Sequence, residues 1–206
     1  MAATAVELNS GGLRLEGLLY GCGRETQPIV VVCHPHPLRG GDMHNNVVTT
    51  VALTLESMGV AALCFNFRGV GRSEGAHDGG AGEQGDVRAA LEYARSLSDA
   101  GRVGLAGYSF GAGMAAAVVD GEVAALCLVS PPERSFAAAT ALWAYDGPVL
   151  LIAGDADHAV TPGALRRTAG ALPQAQAVVV VGADHFWWGY EDRLEAAVRE
   201  FFERLA

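Results

Sequence analysis

Val103-Gly104-Leu105-Ala106-Gly107-Tyr108-Ser109-Phe110-Gly111-Ala112-Gly113-Met114-Ala115-Ala116-Ala117-Val118 runs from a short apolar stretch of strand character, through a serine bracketed by glycines, into an alanine-rich stretch of helical character. A serine at so sharp a strand-to-helix turn is forced into a strained backbone conformation, with its Oγ raised above the sheet edge. Glycines two residues before and after it let the chain pass itself without Cβ clashes. In a chain with 27 Gly among 206 residues such a pentapeptide is a weak signal alone, so its meaning depends on the sequence around it.

Outward from this turn, strand-like and helix-like stretches alternate. Short, continuously apolar runs at Ile29 to Cys33, Val60 to Phe65, Arg102 to Ala106, Ala124 to Val129, Val149 to Ala153 and Ala177 to Val181 read as strands buried on both faces. Such strands belong to a parallel sheet. Glu16 to Tyr20 reads as an early antiparallel strand. Helical candidates lie at about Asn45 to Met58, Glu83 to Leu97, Gly111 to Val119, Pro162 to Leu172 and Tyr190 to Leu205. The second of these carries Val87, Ala90, Leu91 and Ala94 on one face at helical spacing. The alternation predicts a single α/β domain over residues 1–206, a doubly wound, mostly parallel sheet with helices on both faces. Gly75 to Gly85 reads as a surface loop. Only Ser130 to Gly147 separates two core strands, too short a stretch to hold a further domain, so no cap domain is expected.

Ligands of an open parallel sheet bind beyond the carboxyl ends of its strands. Three such ends carry Ser109, then Gly154-Asp155-Ala156-Asp157-His158-Ala159-Val160, then Gly182-Ala183-Asp184-His185. A hydroxyl is almost never ionised at neutral pH, and a neutral imidazole within reach removes its proton during attack. A carboxylate fixes the tautomer of that imidazole and stabilises the imidazolium. His185 is therefore the candidate base and Asp157 the candidate acid. Asp155 and Asp184 suit local turn hydrogen bonds, and His158 reads as a surface residue. His34-Pro35-His36-Pro37-Leu38 follows another strand. Neither proline has an N–H, so the candidates in this loop for one oxyanion-hole amide are His36 and Leu38, with His36 preferred. Phe110, at the positive start of the helix after Ser109, supplies the second. Leu38, Met43, Tyr108, Phe136, Trp143 and the Phe186-Trp187-Trp188 run are candidates to line an open, shallow acyl pocket. The same aromatic residues suit ordinary packing equally well.

Composition removes several function classes. The net charge of −9 and the absence of clustered basic residues argue against a nucleic-acid partner. All fourteen basic residues are Arg, which leaves no lysine for a Walker A loop or for a Schiff base. The N-terminus lacks a basic and an apolar signal region, and no apolar run is long enough to span a membrane, so a soluble cytoplasmic chain is expected. Cys22, Cys33, Cys64 and Cys127 lack metal-site spacing and read as small core residues. His34 and His36 have no third ligand at useful spacing, so no metal is expected. Gly69-Val70-Gly71-Arg72-Ser73-Glu74-Gly75 is one residue too long for a dinucleotide fingerprint and follows a middle strand, which points to a tight turn and no cofactor.

With His34-Pro35-His36-Pro37, Asn66-Phe67-Arg68-Gly69-Val70-Gly71-Arg72-Ser73, Gly107-Tyr108-Ser109-Phe110-Gly111, the Gly154 to Val160 signature and Asp184-His185, nearly the whole chain resembles a small, lidless α/β-hydrolase of the dienelactone-hydrolase-like group. The order nucleophile, acid, base is that of the α/β-hydrolases. The resemblance implies the α/β-hydrolase fold and a serine hydrolase of esters or thioesters, with Ser109, Asp157 and His185 as its triad and a small molecule as its partner. Dienelactone hydrolases proper carry a cysteine where Ser109 stands, so their lactone substrate does not transfer. The competing expectation is a binding or scaffold protein that keeps the fold without turnover. Oligomeric state is not legible.

Overall fold

The computed structural model of the chain describes residues 3–21, 28–97 and 102–203. Its elements run β1 (Thr4–Ser10), β2 (Leu13–Tyr20), β3 (Ile29–Cys33), a 3-10 turn (Pro37–Arg39), α1 (Asn46–Ser57), β4 (Ala61–Phe65), α2 (Ala81–Leu97), β5 (Val103–Tyr108), α3 (Phe110–Val118), β6 (Val123–Val129), α4 (Glu133–Ala138), α5 (Thr140–Ala144), β7 (Val149–Gly154), α6 (Pro162–Ala171), β8 (Ala175–Val180) and α7 (Glu191–Phe202). All eight strands form one sheet in the order β1-β2-β4-β3-β5-β6-β7-β8. The β1–β2 hairpin joins β4 antiparallel, and every pair from β4 onward is parallel.

Period-two alternation in the apolar runs builds a core on each face. Val31, Cys33, Leu63 and Phe65 face Leu91, Ala112 and Leu165 of α2, α3 and α6, whereas Val30, Val32, Ala62 and Cys64 face Val48, Leu55, Leu194 and Phe202 of α1 and α7. Strands so covered have no polar face to show, which is why they read as unbroken hydrophobic runs. Cys33, Cys64 and Cys127 are free, buried thiols in this core, and burial pushes all three up from the ordinary thiol range. Cys22 lies outside the described residues. No helix among the described residues is long and apolar enough to cross a membrane.

Several elements differ from expectation, among them β1, α2, β8 and α7. β1 has no counterpart in the sequence reading, because only its Leu8 and Ser10 are buried and the other positions stay exposed or half-exposed. α2 begins at Ala81, so the glycine-rich loop ends earlier than Gly85. Carboxylates account for this: Asp78 accepts from the Gly82 N–H at 2.8 Å, and the buried Glu83 accepts from the Gly80 N–H at 2.7 Å, so a capped first turn outweighs the low helix propensity of glycine. β8 is not buried on both faces but is a half-exposed edge strand. α7 ends at Phe202 against an expected end at Leu205, which lies outside the described residues.

Candidate active site

Ser109 sits between β5 and α3 at φ 53° and ψ −114°, a left-handed conformation that side chains rarely adopt. Neighbouring backbone imposes it. A Cβ on Gly107 would overlap the carbonyl of Gly111, and a Cβ on Gly111 would overlap the carbonyls of Cys33 and His34 at the end of β3. Both glycines are thus required by close approach of main chain to main chain. The Ser109 N–H is drawn sideways to Val129 O of β6 at 2.9 Å, and the side chain is left half-buried.

Ser109, His185 and Asp157 meet beyond the strand ends. Ser109 Oγ lies 2.9 Å from His185 Nε2, and His185 Nδ1 lies 3.0 and 3.1 Å from the two oxygens of Asp157. Burial pushes the Asp157 carboxyl up, but hydrogen bonds from His185, the Ser130 hydroxyl and the Ala159 N–H outweigh it and hold the group below the usual carboxylate range. An ionised Asp157 places the imidazole proton on Nδ1 and leaves Nε2 free to accept from the serine hydroxyl. The arrangement is chemically competent for activating Ser109 as a nucleophile.

The loop that carries His185 is fastened by groups distant in sequence. The Tyr108 hydroxyl donates to His185 O at 2.6 Å, and Trp187 Nε1 donates to Ser130 Oγ at 2.9 Å. Trp187 is fully buried at φ 64°, and Ser130 is buried at φ 45°. Asp184 Oδ1 accepts from the N–H groups of Phe186 and Trp187, the local turn its position suggested, whereas Asp155 Oδ1 accepts from the Gly182 N–H 27 positions away and so ties the loop after β7 to the loop after β8, not a local turn. Ser130 and Trp187 carry no local signal of this pairing in the sequence, since 57 positions separate them.

His34 and His36 have divergent tasks. His34 is buried; its Nδ1 donates to Pro35 O at 2.7 Å and its Nε2 accepts from the Phe67 N–H at 3.0 Å, which ties the end of β3 to the end of β4. Burial pushes this imidazole down to about 4, so it stays neutral. His36 turns its Nδ1 to accept the Leu38 N–H at 3.2 Å, which engages one of the two amides weighed for the oxyanion hole. The His36 ring packs against Phe110, with centroids 5.0 Å apart.

The expected pocket residues divide. Leu38 and Phe186 are exposed, the latter with its ring 5.8 Å from that of His185. Trp143 is half-exposed on α5, its Nε1 donating to Phe136 O. Met43 and Tyr108 are buried among the residues between the sheet and α1, because Asn66 Oδ1 holds the Met43 N–H and His185 O holds the Tyr108 hydroxyl. His158 is exposed as expected, and its ring lies 4.9 Å from that of His185. The Asn66 to Ser73 motif is structural: Asn66, Ser73 and Arg72 all bind Glu16 or its backbone, and Gly71 lies so close to Glu16 that a Cβ there would overlap it.

Residues 28–145 match the model of a family described as alpha/beta hydrolase fold. The chain is 31% identical over 204 residues to the uncharacterized protein RP471 of Rickettsia prowazekii, covering 91% of this chain and 84% of that one. Among solved structures it is similar to XC6422 of Xanthomonas campestris, a member of a/b serine hydrolase without lid, at a TM-score of 0.87 and 31% identity over 100% of this chain and 95% of that one. An alpha-beta serine hydrolase homologue from Coxiella burnetii is similar at a TM-score of 0.87 and 34% identity, with 100% and 99% of the two chains covered. The shared architecture extends to the absence of a lid, and the chain belongs to the alpha/beta hydrolase fold family.

Proposed function

We propose that this chain is a serine hydrolase that cleaves carboxylic esters or thioesters through an acyl-enzyme. The reading is carried by the unbroken hydrogen-bond path from Ser109 through His185 to Asp157. Ser109 Oγ attacks the substrate carbonyl carbon while His185 Nε2 takes its proton. Negative charge then develops on the carbonyl oxygen, and the amides of His36 and Phe110 stabilise it. Collapse breaks the bond to the leaving oxygen or sulfur, which receives the proton from His185. A water enters, gives its proton to His185 and attacks the acyl carbon; the bond to Ser109 Oγ then breaks, Oγ takes the proton back from His185, and the acid is released. Acylation and deacylation each charge the imidazole once and discharge it once, so the residues named suffice.

A fluorophosphonate probe tests the proposal. Covalent labelling is expected in the native chain and absent in Ser109→Ala, with turnover of p-nitrophenyl esters falling on the order of 10⁶-fold in that variant. A folded native chain that neither labels nor turns over p-nitrophenyl esters or acyl-CoA thioesters would instead mark a scaffold. The oxyanion role has its own test. His36 has φ −58°, a value proline adopts, so His36→Pro deletes the amide with little backbone strain. Its kcat is expected to drop by about 10²–10³, the cost of one oxyanion donor, whereas His36→Ala retains the N–H and most of the rate. Equal losses in the two variants would reassign that donor.

A further inference from the structure

β8 ends the sheet, and no strand among the described residues pairs with its outer edge. The Val149 N–H donates to Gln174 O and the Asp155 N–H donates to Val180 O, so even-numbered residues face β7. Direction alternates along a strand, and Ala177 and Val179 therefore aim their N–H and C=O groups outward. Soluble proteins protect such edges with charge, proline or a covering element. The opposite edge follows this rule, since β1 carries Glu7 in an ion pair with Arg14 at 3.6 Å. β8 does not. The run Ala175-Gln176-Ala177-Val178-Val179-Val180-Val181 has no charge and no proline, none of its strand residues is buried, and Val181 is 79% exposed.

A groove of about 560 Å³ lies between this edge and α7, bordered by Val178, Val180, Arg193, Ala196, Ala197 and Glu200. Its charges are arranged with a symmetry. Arg193 and Glu200 are two helical turns apart, roughly 10 Å, with Ala196 and Ala197 midway between them. Neither charged side chain has an ion-pair partner among the described residues, although Glu195 and Arg199 on the same helix pair at 2.8 Å. A two-fold axis normal to the sheet and passing beside β8 pairs the two edges antiparallel. It also keeps both copies of α7 on one face and sets them antiparallel across the groove. Arg193 of each copy then faces Glu200 of the other, and the small alanines fall at the centre where the helices approach closest.

We propose that β8 and α7 form the interface of a symmetric dimer of this chain, in which the sheet continues from one copy into the next and two Arg193–Glu200 pairs close its rim. The contact is isologous: one patch complements itself. Opposite charges with no ion-pair partner among the described residues, flanking an apolar edge, complement a second copy set antiparallel across the groove.

Sedimentation velocity from micromolar to hundreds of micromolar tests this. The native chain is expected to dimerise. Arg193→Glu and Glu200→Arg each replace two attractive pairs by two repulsive ones and are expected to weaken the dimer about tenfold or more. The double reversal is expected to restore it. Circular dichroism verifies that the variants fold, as these residues are exposed. A native chain that stays monomeric throughout, a dimer indifferent to both reversals, or single reversals that the double variant fails to rescue would each overturn the proposal.

Discussion

Strain at Ser109 persists because the backbone around it leaves no room to relax. A left-handed serine costs about 1–3 kcal/mol, and the elbow is held by the carbonyls of Cys33 and His34, which lie where any Cβ on Gly111 would go. β3 cannot retreat, since β4 and β5 bind it on both sides. Gly111→Ala is therefore expected to lose about 3 kcal/mol or more by urea unfolding. Gly121 offers the comparison: nothing lies within 4 Å of a Cβ there, so Gly121→Ala is expected within about 1 kcal/mol of the native chain. Similar losses at both sites would mean that steric closure does not shape the elbow.

Elements hold the site through a few concentrated contacts. Arg68, in the loop after β4, donates from Nε and its terminal nitrogen to Asp86 of α2 at 3.0 and 2.7 Å, and its backbone N–H adds a third bond. Asp86 is fully buried and Arg68 half-buried, so Asp86→Ala leaves the guanidinium with only the Asp78 carboxylate at 3.8 Å and Ser10 Oγ at 3.5 Å, and is expected to cost about 2–3 kcal/mol in equilibrium unfolding. A loss below about 1 kcal/mol would show that the pair is no more than a surface contact.

Pairings of this kind mark the boundary of what is legible in the sequence. The central strands can be read because Ile29–Cys33 and Ala61–Phe65 are apolar at every position, a direct imprint of burial on both faces. β1 cannot, since Thr4, Ala5, Glu7 and Asn9 are exposed and mimic a loop. The valines of β8 look like core because composition does not encode strand order, and only the fold puts them at an edge. Ser109, Asp157 and His185 are legible from their places after strand ends. Tyr108, Ser130 and Trp187 are not, because their bonds to the base and acid loops exist only after distant segments are brought together.

Acid sensitivity belongs to the molecule as a whole. His34 links the β3 and β4 ends with both ring nitrogens, and burial holds it at about 4 against an ordinary value of 6.5. Below 6.5 the unfolded chain binds a proton that the folded chain refuses. The stabilisation is complete above that pH and declines as pH falls toward 4, by at most about 3 kcal/mol. Urea midpoints measured across this window are expected to fall in the native chain and to flatten in His34→Gln; identical slopes would assign the sensitivity elsewhere.

Trp187 gives the same molecule an optical gauge. Trp143 and Trp188 stand 45% and 70% exposed, while Trp187 is sealed and hydrogen-bonded to Ser130, two residues from the imidazole. A buried indole emits toward the blue and resists dissolved quenchers, whereas the other two emit toward the red and are quenched. Detachment of the segment bearing His185 would transfer Trp187 from the first population to the second, making the integrity of the reactive rim visible as a colour shift without any substrate.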